Sequence, residues 1–407
     1  MLTFRLAFRN LFRNTRRTVL TCLLIGFSLS ALIIVDGVLL GTSKALVESI
    51  THLLFGEAQV HRRGFLDTFD ADLYIKDPAE LTALLTRSPA VAGFALRTIS
   101  RGMVSSPQNV SAALIYGVDP DQESRLSRLK DSVIDGNNLS GADTELLIGS
   151  NLVNLLEAKL GDRIVLTTSM VDGGGVSQQL FRLSGITQFG MRQIDSNAVF
   201  INLSRARELM GMGNGVHEIA IRYSDEEDSG NRNHPLLAEL SNEENEALGW
   251  RDFNPEIGSM LEIVEIASIA LGAILFLLAS FGVINTMFMS IYERIFEFGV
   301  AKAIGTSPNE LIMLILCEAF LISLLSVIWG LMFGGTISYY FSVAGFSLGE
   351  MWEIPEVTLD QNLYSVLEPA QFLVFPGFVI LLTLAAAFYP AIYASRIVPS
   401  EALQKTL

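Results

Sequence analysis

The sequence predicts an α-helical membrane protein with four transmembrane helices and a large α+β domain inserted between the first two. Three observations predict it. Half of the 407 residues are hydrophobic, and mean hydropathy is +0.42. Only 17% are charged, against about 25% in an ordinary soluble domain. Four separate stretches reach the length of about 20 apolar residues that a bilayer core requires, and one polar segment of 216 residues, 42–257, separates the first from the second.

The chain opens with an arm, residues 1–17, carrying Arg5, Arg9, Arg13, Arg16 and Arg17 and no acidic residue. Leu2, Leu6, Phe8, Leu11 and Phe12 supply an apolar side, so the arm reads as an amphipathic helix on anionic lipid, worth about 1 kcal/mol per basic residue. The first span follows over residues 18–41. Its apolar run exceeds the roughly 7–15 residues of a signal-peptide core and no Ala-x-Ala site follows, so an uncleaved span is expected. Positive residues stay on the cytoplasmic side. The arginine-rich arm is therefore expected in the cytoplasm, and four crossings return the C-terminus there. Asp36, inside the first span, is expected near the outer surface, where a wet cavity tolerates it.

Residues 42–257 then lie outside. They hold 30 acidic and 19 basic residues, most of the net charge of −15. Alternating apolar residues predict strands over 57–61, 111–116, 163–168, 179–184, 197–201 and 218–223. Asp77-Pro78 opens a helix, with further helices over 149–158 and 204–210. Mixed strands and helices argue an α+β domain. Gly173-Gly174-Gly175 reads as a hairpin tip, and the acidic stretch 225–233 as a solvated loop.

From Pro255 the pattern turns helical. Residues 258–291 predict a stalk running into the second span, with Glu256, Glu262 and Glu265 held outside lipid. Residues 292–310 form a cytoplasmic loop, 311–344 the third span, 345–371 an outer loop, 372–392 the fourth span and 393–407 a cytoplasmic tail. The outer loop carries Glu350, Glu353, Glu356, Asp360 and Glu368 with no Lys or Arg, which fits the same orientation. Gly330, Gly334 and Gly335 read as helix-packing positions, and Trp352, Tyr339 and Tyr340 as an outer aromatic belt. Hydrophobic residues near the outer ends of the first two spans are expected to line a lateral opening.

The loop at 292–310 is the most informative stretch. It contains Glu293, Arg294, Glu297, Phe298, Gly299, Lys302, Ala303 and Gly305. Glu293 and Glu297, four apart, share a helix face. A short helix between two spans lies at the membrane surface, and its charges suit docking into a partner. Glu318, about two turns into the third span, is a functional candidate as an intramembrane acid; pairing with Arg294 or Lys302 is the plainer account.

Glu293, Arg294, Glu297, Gly299, Ala303, Gly305 and Glu318 fit the pattern E-R-x-x-E-x-G-x-x-x-A-x-G followed by a helix with an early Glu. This resembles the MacB/FtsX-like ABC transporter permease superfamily. The tail from Pro390 to Leu403 is similar to that family's closing motif, and the arm to its leading helix. The layout is nearest to the lipoprotein-releasing (LolC/LolE-type) permeases. The resemblance implies that residues 293–305 seat on a separate ABC ATPase subunit. It further implies a second permease protomer, homo- or heteromeric, and a periplasmic carrier or other envelope partner. The expected place is the bacterial inner membrane, in contact with its lipid.

No Gly-x-x-x-x-Gly-Lys-Ser/Thr occurs, so the expectation is a non-catalytic subunit with no cofactor of its own, ATP and Mg residing in the partner. His52, His61, His217 and His234 lack ligand spacing, and Cys22 and Cys317 fall in apolar runs, so no metal is expected. The acidic balance excludes nucleic acid. Extraction or export of a lipoprotein or lipid is the first functional reading. A mechanotransmitting regulator of a periplasmic partner and a membrane-anchored sensor without ATPase are the alternatives.

Overall fold

Helix-forming residues with no proline carry the first long helix well past residue 41. The computed structural model describes residues 2–346 and 363–398. Glu350, Trp352, Glu353, Glu356 and Asp360 of the loop, and Pro399 to Leu403 of the tail, lie outside the described residues. The described residues fall into two units. One takes in the chain up to Lys44 and again from Leu261, the other runs from Ala45 to Met260.

Four helices have the length and apolar composition to cross a membrane: Thr15–Phe55, Pro255–Glu293, Pro308–Ala344 and Pro369–Ser395. They are called the first to fourth spans here. The first ends in a widened π turn, Thr51–Phe55, closed by Gly56 at φ 76°. At 41 and 39 residues the first two helices are about 60 Å long, twice the roughly 30 Å hydrocarbon core. The third opens with a Ser307/Glu310 capping box and Pro308 at the first helical position, satisfying amide groups that a helix start leaves open. The fourth opens likewise with Glu368, Pro369 and Gln371.

Buried Ile25, Leu29 and Ile33 of the first span pack with Ala319, Ile322 and Val327 of the third and Val379 and Ala387 of the fourth. Small residues permit the closeness. A Cβ on Gly334 would lie 2.8 Å from the Ser30 backbone, and one on Gly330 would lie 2.9 Å from Leu29. Ser30 Oγ donates to Gly330 O at 3.1 Å. Gly335 instead faces Phe372 of the fourth span. Tyr339 and Tyr340 are exposed near the end of the third span.

The inserted unit holds ten strands: β1 Ala58–Arg62, β2 Val91–Ser105, β3 Val110–Val118, β4 Val133–Gly136, β5 Glu145–Gly149, β6 Arg163–Ser169, β7 Val176–Thr187, β8 Ala198–Asn202, β9 Glu218–Tyr223 and β10 Asn245–Gly249. The pairings β2–β3, β3–β8, β8–β5, β5–β7, β7–β6 and β6–β2 close on themselves. The result is a small barrel with no free edge along that ring. Val104, Ile115, Leu146, Ile148, Leu166, Phe181 and Val199 fill it. The first half of β2 pairs instead with β9, and β9–β1–β10 form a wing.

The six strands expected from alternation are present within a few residues. Alternation does not reveal β2, β4, β5 or β10. In β2 four consecutive residues, Arg97 to Ser100, are all buried, which erases the alternation there. A Cβ on Gly102 would lie 2.5 Å from Thr167 O. The stretch 225–233 includes a short helix, Glu226–Ser229, in place of the expected loop. Deeper in this unit the fully buried Arg97 guanidinium bonds Glu123, Glu218 (2.7 Å) and the Leu54 carbonyl (2.6 Å). Burial pushes the Glu218 carboxyl up despite Arg97.

Candidate functional site

The motif residues converge at one end of the helical unit, where the arm, the 292–310 segment and the starts and ends of the spans meet. The arm helix runs Leu2–Leu11. Its Ala7 and Leu11 are buried in the same cluster as the first, third and fourth spans. A turn over residues 12–14 leads into the first span, and Thr18 Oγ ties the two by donating to Leu11 O at 3.0 Å.

After Glu293 the second span ends, and a separate short helix covers Ile295–Ala303. Phe298 is its anchor. It is buried with Ile291, Leu311, Ile315, Ala391 and Ala394, from the ends of three spans. Gly299 is buried beside it. Gly305, at φ 107°, ends the element, with Thr306 N donating to Ala301 O at 3.0 Å. A positive φ is what glycine adopts without strain.

The charges form two linked sets. Glu318, 6% exposed, accepts from Arg294 Nη1 at 2.8 and 3.0 Å and from Asn10 Nδ2 at 2.7 Å. Arg294 also reaches Glu297 at 3.3 Å and lies over the Phe298 ring. Glu297 is ion-paired with Arg13 of the arm as well. Glu293 accepts from Asn14 at 2.9 Å and Arg17 at 3.1 Å. Arg294 thus joins the third span to the short helix, Asn10 and Arg13 join these to the arm, and Arg17 joins the first span to the end of the second. Burial works against ionisation of Glu297, but hydrogen bonds and charge from Arg13 and Arg294 outweigh it and hold the carboxyl below its usual range.

Lys302 takes no part in the Glu318 pair. Its Nζ donates to the carbonyls of Ser395 and Ile397, each at 2.8 Å. A cation on the last carbonyls of a helix both satisfies them and complements the dipole, so Lys302 caps the fourth span. Ala303 is exposed at the end of the short helix. Arg5, Arg9 and Arg16 are exposed. The expected charged knob is thus a clasp whose acidic groups are occupied within the chain.

Free surface on the short helix is apolar. Phe296, Val300 and Ile304 follow at four-residue spacing and are 45%, 37% and 80% exposed. Sequence reasoning misses this ridge. The expected shared face of Glu293 and Glu297 is broken, because the chain leaves helical geometry at Arg294 and puts them on separate helices; the sequence alone does not say which face of the short helix is covered. Asp36 lies elsewhere, toward the opposite end of the spans. Among the described residues no three His, Cys, Asp or Glu side chains gather where they could hold a metal ion.

The fold is that of a multi-pass membrane protein with an inserted sheet domain. The MacB-like periplasmic core domain family matches residues 18–231, and the FtsX-like permease C-terminal family residues 269–399. The chain belongs to the MacB/FtsX-like ABC transporter permease superfamily. It is 22% identical over 341 residues to the lipoprotein-releasing system transmembrane protein LolC of Xylella fastidiosa, covering 79% of this chain and 80% of that one. It is 23% identical over 422 residues to the macrolide export ATP-binding/permease protein MacB of Campylobacter jejuni, covering 99% of this chain and 61% of that one. Among solved structures, the periplasmic region of MacB from Actinobacillus actinomycetemcomitans aligns at TM-score 0.35 and 13% identity, over 49% of this chain and 92% of that one.

Proposed function

We propose that this chain is the membrane subunit of an ABC transporter that works on a lipoprotein or lipid at the outer face of the inner membrane. A separate ATPase would drive it from below. In this reading the arm and the 292–310 segment face the cytoplasm and the inserted domain faces the periplasm, as the arginine-rich arm favours. The carrying observation is the clasp. Arg294, Glu318, Glu297 and Arg13 tie the short helix to the third span and the arm, so a push on it moves several elements together. Phe296, Val300 and Ile304 are left exposed for an apolar groove on the ATPase, where a few well-packed anchors carry most of the binding energy. ATP-driven closure of a pair of ATPases would rock two such protomers and move the long first and second helices. No group on this chain performs hydrolysis in this scheme. The likeness to LolC over most of both chains favours a lipoprotein among envelope substrates.

The test is capture of the tagged full chain in mild detergent, with bound proteins identified by mass spectrometry. Wild type is expected to retain an ABC ATPase. Val300→Asp/Ile304→Asp is expected to lose it while eluting as the same folded species. Glu293→Lys/Glu297→Lys is expected to lose both the ATPase and thermal stability, because those groups hold the arm. A folded wild type that retains no ATPase would overturn the transporter reading and favour an anchored sensor.

A further inference from the structure

The second span is packed unevenly along its length. Toward the junction end Ala279, Val283, Met287 and Ile291 are buried. A Cβ on Gly282 would sit only 1.9 Å from Leu24 of the first span. Toward the other end Ile263, Ile266, Ile269 and Ile274 are more than half exposed, and from Glu262 to Ala273 only Gly272 is buried. In this loosely packed half Ser268 makes a polar link to the first span. Ser268 Oγ donates to Asp36 Oδ1 at 3.2 Å.

Asp36 is itself firmly held. Gln371 Nε2 donates to its other oxygen at 2.9 Å. Gln371 is 1% exposed and forms the capping box at the start of the fourth span. Through Gln371, Asp36 thus faces the start of the fourth span, where the helix dipole presents partial positive charge. The neighbouring backbone adds rigidity. A Cβ on Gly41 would overlap Tyr364 O, one on Gly37 would lie 2.5 Å from Ser365 Oγ, and Val366 N donates to Gly37 O at 2.9 Å. The first span, the extended stretch before the fourth span, and the fourth span's first turn form one fixed body. Ser268 hooks the second span onto it.

We infer that Asp36 is a positioning residue, the fixed half of a latch whose moving half is Ser268, and that releasing it lets the loosely packed half of the second span swing from the first. This rests on the proposed transport reading, in which such a swing opens an apolar gap beside the outer leaflet. An acid within the spans is costly, and a single 3.2 Å hydroxyl contact to it is weak enough to break within a cycle.

The test is cysteine cross-linking of the full chain in lipid nanodiscs, in a Cys22→Ser/Cys317→Ser background. The outer pair is Leu32→Cys/Gly272→Cys, positions in van der Waals reach in the structure. The inner control pair is Leu24→Cys/Gly282→Cys. Asp36→Ala and Ser268→Ala are each expected to slow cross-linking of the outer pair several-fold and leave the inner pair unchanged. Asp36→Asn keeps an oxygen for Ser268 and is expected to restore the outer rate, which a role in charge or folding alone would not do. An unchanged outer rate in Ser268→Ala, or equal slowing of both pairs, would overturn the latch. The measurement needs no ATPase, so loss of the transporter reading would show in the capture experiment and not here.

Discussion

The second and third spans have nearly the same length and apolarity, yet they are built for different tasks. Half of the most apolar stretch of the third span is buried within the chain, against 17% for the second. The third is lined with Ser323, Ser326, Gly330, Gly334 and Ser338, all buried, and small side chains let neighbouring helices close on it. The second carries Ile and Leu on exposed faces and meets its neighbours chiefly at its junction half and at Ser268. Apolarity puts a helix in a membrane; only the distribution of small residues makes it a centrepost. One helix is a fixed axis, the other is free to move or to meet lipid or a second protomer.

The sharpest way to break that contrast is at the foot of the third span. Arg294→Ala leaves Glu318 buried with Asn10 as its remaining partner. Removing one member of a buried pair costs about 3–5 kcal/mol, so the variant is expected to unfold at markedly lower temperature in detergent. Arg294→Met/Glu318→Met should recover much of the loss, and a double-mutant cycle measures the coupling. Next in size, Gly334→Val forces a side chain onto Ser30 and is expected to cost about 1–3 kcal/mol by overpacking, read by thermal unfolding. Ile274→Ala on the second span should change that stability by less than about 0.5 kcal/mol, because little of the chain covers it. A large loss there would mean that the second span is buried against something other than this protomer.

The smallest effect is on pH. Glu297 is held below its usual range in the folded chain. Its contribution is therefore present above the ordinary carboxyl value and is lost as pH falls through the lowered one. Arg13→Ala is expected to weaken that acid-linked loss slightly and Glu297→Gln to abolish it. The midpoint of unfolding followed from pH 7 down to pH 3 checks both.

Much of the architecture is legible in the amino-acid order. Apolar runs of 20 or more residues have no stable place in water, so the four spans are plain from hydropathy. Glu293, Arg294, Glu297 and Glu318 are recognisable as a set from spacing and resemblance. Their use is not. Spacing puts the two acids on one face and suggests that they are free for a partner, whereas a helix break at Arg294 divides them between two helices and Arg13, Asn14 and Arg17, some 280 positions earlier, pair with them at the surface. The Arg97, Glu123 and Glu218 cluster carries no local signal, since its members come from distant elements.

By itself the sequence determined the number of crossings, the place of the inserted domain and the strands with one wet face. Each depends on the local balance of apolar and polar residues, which a single segment carries within itself. Tertiary structure alone decided the closure of the barrel, the partners of Arg294 and Lys302, the exposed ridge of Phe296, Val300 and Ile304, and the meeting of Asp36 with Ser268 and Gln371. Each of those depends on which surfaces remote segments cover, and a covered charge and a free one are written with the same residue.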